Sequence, residues 1–595
     1  MKKFIERKPW LFLDKYRGKE FFGEWPTFPE LIKIQSMRFG ERPLFTDFEG
    51  EGGSKNTLTY ADAYQKITTL AAWLLKTGLK KGDRVVISGK NSPEWAVSFL
   101  ATFFAGGIAV PIDTALHQNE VCNLIKTAEP RIALTDDEKI EFIKDEFPSI
   151  IVKSLNPTTK ENYVYNLHSN ENPTPNESVK CNDTAVILFT SGTTGNPKGV
   201  MLTHKNLIAD AFIAQTNLDI FPTDVFYALL PIHHAYTMQA AFICPISCGA
   251  EIVFGKSMAV TRLMKELKEG KISVMLGVPL LYNKLLAGIQ KGIAAKGAVV
   301  VSIMGFLQGL SFLIKKLTGK NAGKALFKAV LQQANIYTLR VAICGGGPLA
   351  AGVFRAYNAM GIDFIQGYGL TETSPIIALN PIENFKLISV GRDFSPYEEI
   401  KIINPDSKNS ASTKGKGAIG EIAVKGPMVM QGYYKMPEET AKVFTEDGFF
   451  KTGDLGWIDD DHYIMLCGRA KNMIVTSGGK NVYPEEIEDL FQLETVIQQI
   501  TVQGYYANGD TASEEIEALV YPSDDLLKTL GLSRGDNTEQ AQGKIFYEVQ
   551  NAVNRVNKTL QPYQRITKIT LLEKPLEMTT TQKVKRNGTS KNCNF

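Results

Sequence analysis

The amino-acid sequence predicts an α/β protein with more than one domain and mostly parallel sheets. The chain has 595 residues, which is more than one hydrophobic core usually supports. Short apolar runs of strand length alternate with longer segments of helical periodicity, the pattern of a layered α/β fold. Apolar residues make up 44% of the chain and charged residues 22%, as is usual for a soluble globular protein.

The alternation of helices and strands is clearest near the N-terminus. Residues 61–77 place apolar side chains at helical spacing and predict a helix. Residues 84–87 predict a short buried strand, residues 94–105 a second helix, and residues 106–111 a turn and a strand. Far along the chain, the polar residues 523–542 predict an inserted surface loop.

Charge and cysteine content give no indication of nucleic-acid binding or of a cysteine metal site. The net charge of +3 gives no reason to invoke nucleic acid. The seven cysteines show no metal-ligand spacing, which fits a reduced, cytoplasmic compartment. The charged residues 1–8 are followed by no uninterrupted apolar segment, so we expect no secretory signal.

A glycine-rich segment offers the first functional signal. Residues 184–189 predict a buried strand, and the cap residues 203–206 precede a predicted helix. Between them lies a loop rich in Gly, Ser and Thr that contains Lys198. Backbone N–H groups, hydroxyls and a lysine can together bind phosphate oxygens. The loop is not a Walker motif, because Gly199 stands where Ser or Thr should follow the lysine. For a lone loop of this kind, a mobile linker is the alternative.

Residues 191–199, Ser-Gly-Thr-Thr-Gly-Asn-Pro-Lys-Gly, resemble the phosphate-binding signature of the AMP-forming adenylate superfamily. This superfamily includes acyl-CoA synthetases, luciferases and adenylation domains. Residues 468–488 extend the resemblance over a longer segment. It implies an ATP- and acyl-binding domain, 1–470, and a small mobile α/β domain, 471–595, with the hinge at Lys471. Asn472 stands where members commonly have an acid, which leaves the charge pairing of the hinge open.

The resemblance also assigns roles to individual residues. It places adenine between the Gly346–Gly347 turn and Tyr368, and gives the ribose hydroxyls to Asp454. Thr371 and Glu372 offer oxygen ligands, and Mg²⁺ prefers hard oxygens together with substrate phosphates. The remaining implied ATP or Mg²⁺ ligands are Thr190, Ser191, Gly192, Thr193, Thr194, Gly195, Lys198, Gly369 and Arg469, with Gly478 and Gly479 in a loop that serves the second step.

Two further site residues are assigned by the resemblance rather than by their local sequence. His234 follows His233 in an apolar segment, where a histidine is more often structural; the resemblance places His234 in the wall of an acyl pocket. Residues 578–586 resemble the terminal motif that carries a catalytic lysine. The lysine is assigned to Lys583, although Gln582 replaces the usual glycine and Lys585 is the alternative.

Residues 298–314 form the most unusual segment of the chain. They are almost continuously apolar and somewhat short for a membrane span, which needs about 20 residues. Ile303, Phe306 and Leu310 follow helical spacing, and four lysines lie behind them: Lys315, Lys316, Lys320 and Lys324. This combination predicts a helix in peripheral contact with the inner face of a membrane. A helix buried against the main domain is an equal alternative.

Residues 54–60, 298–314 and 553–563 resemble long-chain fatty acid–CoA ligases more than aryl or acetyl members of the superfamily. Such an enzyme uses a fatty acid, ATP, Mg²⁺ and coenzyme A to form an acyl-adenylate and pyrophosphate, and then acyl-CoA and AMP. A fatty acyl-AMP ligase or acyl-carrier-protein synthetase, which delivers the acyl group to a carrier thiol, is the first alternative. A non-catalytic nucleotide-binding or membrane-scaffold protein is the second. Chain length and oligomeric state do not follow from the sequence.

Overall fold

The structure is a computed structural model. It describes residues 7–158, 160–168, 178–190, 197–347, 349–403, 419–476, 479–506, 514–536, 538–578 and 584. The strands are β1 Pro43–Asp47, β2 Asn56–Thr59, β3 Arg84–Ser88, β4 Ile108–Pro111, β5 Ile132–Thr135, β6 Ile151–Ser154, β7 Thr184–Thr190, β8 Lys198–Thr203, β9 Val225–Ala228, β10 Glu251–Phe254, β11 Val274–Gly277, β12 Val341–Cys344, β13 Asp363–Gly369, β14 Ile376–Leu379, β15 Gly391–Arg392, β16 Glu399–Ile403, β17 Gly420–Lys425, β18 Gly432–Tyr433, β19 Phe450–Ile458, β20 Tyr463–Arg469, β21 Ile474–Val475, β22 Asn481–Val482, β23 Ile497–Tyr505, β24 Glu515–Pro522 and β25 Lys568–Leu571.

The α-helices are α1 Phe28–Phe39, α2 Tyr60–Lys76, α3 Pro93–Phe104, α4 Gln118–Ala128, α5 Ile140–Glu146, α6 His204–Ala214, α7 Ala235–Thr237, α8 Cys244–Cys248, α9 Val260–Glu269, α10 Pro279–Ala294, α11 Ala298–Thr318, α12 Gly323–Leu326, α13 Lys328–Gln333, α14 Ala351–Ala359, α15 Pro437–Val443, α16 Pro484–Asp489, α17 Asp524–Leu530 and α18 Glu539–Asn557. A π-helical turn, Met238–Ile243, joins α7 to α8.

Two large sheets organise the chain up to β20. The larger runs in the order β16-β17-β19-β20-β15-β14-β13-β12-β11-β9-β10-β1-β2, and the smaller in the order β18-β8-β7-β4-β3-β5-β6. The central strands of both sheets are parallel, as the alternating sequence pattern predicts. The strands from β14 to β20 pair antiparallel, so both sheets are mixed. The predicted α/β class is confirmed.

Helices pack between and against the sheets and bury wide apolar faces there. Helix α3 buries nearly all its side chains, including Trp95 and Phe99, and α2 buries the face that carries Ile67 and Leu70. These contacts form one core that is shared by both sheets. The helices predicted at 61–77 and 94–105 and the strand predicted at 84–87 match α2, α3 and β3.

Residues after β20 form a smaller unit with its own core. Strands β23, β24 and β25 form a sheet whose apolar side chains pack with those of α16, α17 and α18. The predicted surface loop at 523–542 is wrong, because Ser523 caps α17 and Thr538 caps α18 within that range. Gln492 Oε1 accepts a 2.7 Å hydrogen bond from the N–H of Ala350, which connects this unit to the start of α14. The boundary at residue 470 stays a prediction.

Candidate active site

The predicted ribose ligand, Asp454, lies where two antiparallel strands meet a third. Register pairs Asp454 of β19 directly with Arg469 of β20. Arg469 Nε lies 2.6 Å from Asp454 Oδ1, and the phenol of Tyr368, on β13, donates to Asp454 Oδ2 at 2.7 Å. Asp454 is only 6% exposed. The sequence therefore brings three predicted site residues, from three strands, into one hydrogen-bonded group.

The tyrosine of this group is held as a hydrogen-bond donor. Burial, together with the negative charge of Asp454, raises the pKa of Tyr368 well above its ordinary value. The phenol therefore stays protonated over the physiological pH range. Gly369 follows, and a Cβ at this position would lie 1.4 Å from the carbonyl oxygen of Pro375. Gly369 is thus required by the close approach of the backbone after β13.

The predicted adenine turn follows β12 and has the left-handed backbone expected of glycine. Gly346 has φ of +79°, a conformation that other residues seldom adopt. The preceding Gly345 lies against Tyr236, where a Cβ would come within 2.9 Å of the ring. Tyr236 donates to the carbonyl of Ile343 at 3.0 Å. The close contact with the Tyr236 ring therefore excludes a side chain at Gly345, where the turn begins. Gly346 and Gly347 follow in the same turn.

The predicted phosphate lysine lies at the start of β8, an antiparallel partner of β7. Lys198 Nζ is 2.7 Å from Glu439 Oε2, on α15, and 4.9 Å from the centre of the Tyr433 ring. Thr190, the last residue of β7, pairs with Lys198 in register, and its hydroxyl lies 3.4 Å from the Lys198 carbonyl oxygen. Neither strand β8 nor the ion pair between Lys198 and Glu439 was predicted from the sequence.

The predicted metal ligand, Glu372, belongs to the 3₁₀ turn Thr371–Thr373, which packs against β8. Its Oε1 accepts from the phenol of Tyr433 at 2.9 Å, and its carbonyl accepts from the N–H of Met430 at 2.9 Å. Burial and the Glu372 carboxylate raise the pKa of Tyr433, which remains a donor. A carboxylate oxygen and the hydroxyl of Thr190 are the hard ligands that Mg²⁺ takes beside substrate phosphates, so the donor set fits this ion.

Comparison with known proteins identifies the family of this chain. Residues 32–434 match the family model described as AMP-binding enzyme. The chain belongs to the AMP-binding enzyme family. It is 29% identical over 564 residues to the long-chain-fatty-acid–[acyl-carrier-protein] ligase AEE15, chloroplastic, of Arabidopsis thaliana, covering 81% of this chain and 75% of the relative. It is 27% identical over 597 residues to the long-chain-fatty-acid–CoA ligase ACSBG2 of Homo sapiens, covering 92% and 87%.

Solved structures give the same result for the fold of this AMP-binding enzyme. The ATP-bound crystal structure of MatB from Rhodopseudomonas palustris superposes with a TM-score of 0.72 at 25% identity, covering 94% of this chain and 98% of MatB. The predicted superfamily, the predicted AMP-forming ligase class and the use of ATP agree with these relatives.

The histidine pair of this AMP-binding enzyme lies beside an acid that was not predicted. The rings of His233 and His234 are 4.3 Å apart, and His233 Nε2 lies 3.5 Å from Asp113 Oδ2. The ligand atoms of all three residues lie within 4.8 Å of one another. Thus the buried His233 contacts the acid. The pocket role predicted for His234 stays a prediction.

Several predicted residues lie outside the described part of the chain. They are Ser191, Gly192, Thr193, Thr194, Gly195, Gly478 and Lys583, together with the alternative Lys585.

Gly479 is described and has φ of +64°. Lys471 belongs to the 3₁₀ turn Ala470–Asn472, and the Asn472 amide donates to Glu485 Oε1 at 2.6 Å. An amide–carboxylate hydrogen bond is thus present next to the predicted hinge.

Proposed function

We propose that this AMP-binding enzyme is an ATP-dependent long-chain fatty acid–CoA ligase. The observation that supports the proposal most is the convergence of Asp454, Tyr368 and Arg469 on one side and of Lys198, Thr190 and Glu372 on the other. The first group suits a ribose and the second a polyphosphate. The fatty acid and coenzyme A are proposed because relatives that span most of the chain carry such names.

In the first step, the fatty acid carboxylate attacks the α-phosphorus of ATP, and pyrophosphate leaves. Both reactants are anions, so the enzyme's main contribution is alignment and positive charge. Asp454 accepts from the ribose hydroxyls while Arg469 fixes the orientation of the carboxylate. Lys198 neutralises the β- and γ-phosphates, and Lys583 bridges the fatty acid carboxylate and the α-phosphate. His234 forms part of the acyl pocket.

Glu372 and Thr190 are the residues that would hold Mg²⁺. When bound, the ion neutralises phosphate charge and thereby makes pyrophosphate a better leaving group. Tyr433 keeps Glu372 oriented through its 2.9 Å hydrogen bond.

In the second step, the thiol of coenzyme A attacks the acyl carbon and AMP leaves. We propose that the small domain turns about Lys471 between the steps, which removes Lys583 and brings in the Gly478–Gly479 loop. A rotation of this kind needs backbone change at only a few residues. The hydrogen bond from Ala350 to Gln492 would then be exchanged for other contacts.

A carrier-protein thiol is the second candidate acceptor, because one relative is named as an acyl-carrier-protein ligase. The test is ATP–pyrophosphate exchange with acetate, octanoate, palmitate, oleate and a cinnamate, followed by addition of coenzyme A or a carrier protein. We expect exchange with palmitate or oleate and then acyl-CoA. Exchange without acyl-CoA, but with acylated carrier, would favour the second candidate. Exchange with none of the acids would contradict both.

We also propose peripheral contact between helix α11 and a membrane. By length and composition alone this helix could cross a membrane, but it packs on α10, α12 and α14. Its outward face carries a continuous apolar stripe in which each side chain is between 41% and 73% exposed. The stripe residues are Val299, Ile303, Phe306, Leu310, Leu313 and Leu317. A helix held in the fold with this face exposed suits an interface rather than a span.

The charge around the stripe favours an anionic membrane. No Asp or Glu occurs between residues 271 and 362, whereas this segment contains eleven basic residues. They are Lys271, Lys284, Lys291, Lys296, Lys315, Lys316, Lys320, Lys324, Lys328, Arg340 and Arg355. The predicted basic flank needs correction at two of its four lysines. Lys315 is buried and donates to Asn358 and Asp363, each at 2.6 Å, so it stabilises the helix on the domain. Lys324 likewise donates to the Leu339 carbonyl.

Flotation with vesicles tests the membrane proposal. The triple variant Phe306→Ser, Leu310→Ser, Leu313→Ser removes the centre of the stripe. A matched control, Phe22→Ser with Ile388→Ser, removes exposed apolar side chains elsewhere. We expect the stripe variant to bind phosphatidylglycerol vesicles at least about tenfold more weakly, since each large apolar side chain contributes about 1.5–3 kcal/mol when fully buried. Unchanged binding would refute the contact.

A further inference from the structure

We propose that Glu439 competes with the polyphosphate of ATP for Lys198 and thereby sets the affinity for ATP and pyrophosphate. The inference rests on the phosphate-binding role proposed for Lys198. Lys198 Nζ lies 2.7 Å from Glu439 Oε2, and Lys442 Nζ lies 2.6 Å from the other carboxylate oxygen. A carboxylate oxygen of Glu439 therefore lies next to the lysine amine to which the phosphates are proposed to bind.

The backbone fixes both members of this ion pair. Lys198 begins β8, and β18 pairs with β8 through Gly432–Met201 and Tyr433–Val200. The Tyr434 N–H donates to the carbonyl of Gly199 at 2.7 Å, which extends the pairing toward Lys198. Helix α15 then begins at Pro437 and carries Glu439 back over this strand pair. The short connection from β18 to α15 thus determines which acid faces the lysine.

A second contact fixes α15 against β18. The Tyr433 N–H donates to the Thr440 hydroxyl at 2.9 Å, so the residue that follows Glu439 is bound to the strand. The Tyr433 ring contacts Lys198 and its phenol contacts Glu372. Lys198, Glu439 and the proposed metal ligand therefore share one support. The carboxylate is also ionised at neutral pH, because Lys198 and Lys442 lower the pKa of Glu439 to about 2.

These contacts predict a competition with a defined outcome. Polyphosphate oxygens and the Glu439 carboxylate are both anions, and one lysine amine cannot neutralise both fully at once. When pyrophosphate forms, return of Glu439 to Lys198 favours its release. Glu439 is therefore a positioning residue that opposes tight product binding. Removal of its charge should increase affinity for every ligand that has β- and γ-phosphates, and should leave affinity for AMP unchanged.

The experiment is calorimetric titration of the full chain with pyrophosphate, ATP and AMP in Mg²⁺, without a fatty acid. For Glu439→Gln we expect Kd for pyrophosphate and ATP to fall about 2- to 5-fold, the range typical of an exposed ion pair. Glu438→Gln is the matched control, because Glu438 is exposed on the same helix and the variant changes the net charge equally. Glu439→Ala, which removes the carboxylate by another route, should reproduce the effect.

Equal affinities for Glu439→Gln and Glu438→Gln would overturn the proposal. An equal increase in AMP affinity would also overturn it, since AMP lacks the competing phosphates. Lys198→Ala separates this failure from failure of the phosphate role. If Lys198→Ala leaves pyrophosphate affinity unchanged, the premise is wrong; if it weakens binding while Glu439→Gln has no effect, only the competition is wrong. Because no acyl substrate is present, neither result depends on the fatty acid or the acceptor.

Discussion

The ribose end and the phosphate end of the proposed nucleotide site hold their charges differently. Asp454 is buried and fixed by Tyr368 and Arg469, and neutral ribose hydroxyls can join this group without displacing a charge. Lys198 is paired with Glu439, which an incoming phosphate must replace. The difference indicates that one end provides orientation and the other an exchangeable charge. A site built in this way can hold AMP firmly while it releases pyrophosphate.

The largest effect on this difference is expected when the positive charge of Lys583 is removed, because the small domain is proposed to add this charge at the phosphate end. We expect Lys583→Ala to slow adenylation by about 10²- to 10³-fold, as for loss of one preorganised charge-stabilising group. Thioester formation from supplied acyl-adenylate should be largely spared. Half-reaction kinetics measure both steps, and Lys585→Ala is the control. Equal loss in both half-reactions would contradict the assignment, and loss with Lys585→Ala alone would transfer it.

The ribose end can be tested by removing the charge of the Asp454 carboxylate. We expect Asp454→Asn to lower kcat/KM for ATP by about 10- to 100-fold, because a charged hydrogen-bond acceptor contributes about 1.5–3 kcal/mol. Tyr368→Phe removes the phenol that donates to Asp454 at 2.7 Å but keeps the ring, and should cost less. Steady-state kinetics with varied ATP give both values. A larger loss for Tyr368→Phe than for Asp454→Asn would contradict the dominant role of the Asp454 carboxylate at this end.

The metal dependence sharpens the comparison at the phosphate end. Glu372→Gln keeps a side chain that can accept from Tyr433 but removes the negative charge. We expect the Mg²⁺ concentration at half-maximal activity to rise about tenfold, since Mg²⁺ is bound through few carboxylates and substrate phosphates. Activity measured across Mg²⁺ concentrations at saturating ATP tests this. Glu383→Gln serves as a control at an acid that pairs with Arg7. An unchanged Mg²⁺ requirement would remove Glu372 from the metal site.

A buried carboxyl behind the phosphate end has a smaller effect, on stability. Asp210, on α6, is completely buried and lies 3.4 Å from the N–H of Ile376, just beyond the Thr371–Thr373 turn. Burial raises its pKa well above the ordinary value. The folded protein therefore keeps Asp210 protonated to a higher pH than the unfolded chain, which ionises above about pH 4. The free energy of unfolding consequently falls as pH rises from about 4 toward the folded-state pKa.

Asp210→Asn should reduce this pH dependence. We expect the stability of the variant to fall less than that of the unmodified protein between pH 5 and pH 8, because the variant lacks a carboxyl that ionises first in the unfolded state. Urea unfolding at the two pH values measures the change. Glu398 is a second buried carboxyl with a raised pKa, so some dependence will remain. Glu141→Gln, at an exposed acid, is the control; an equal change there would contradict the role of Asp210.

Local sequence signals were sufficient for elements whose residues form them independently. The apolar run at 184–189 predicted β7, and Thr203 predicted the start of α6 through its cap. The positive φ of Gly346 agrees with the predicted turn. The resemblance also selected Asp454, Tyr368 and Arg469, which the structure brings together. Their mutual contacts could not be predicted, because they depend on the register of β13, β19 and β20.

The missed features are long-range. Strand β8 follows the phosphate loop directly and contains Gly199, which weakened its strand signal. Glu439 lies 241 residues from Lys198, and no local pattern indicates that they meet. Lys315 looked like part of a basic flank, but helix packing turns it toward Asp363. Which side chains of a helix face the protein depends on which face the rest of the chain covers. The apolar pattern of residues 298–314 does not show which face that is.

The acid-free segment 271–362 affects how the protein behaves during purification. The whole chain carries +3 and this segment carries +11, so the remainder carries −8. A chromatographic resin interacts with local charge rather than with the sum. Near neutral pH, the protein should therefore bind a cation exchanger through this segment and elute at a higher salt concentration than expected for a sequence pI of 8.2.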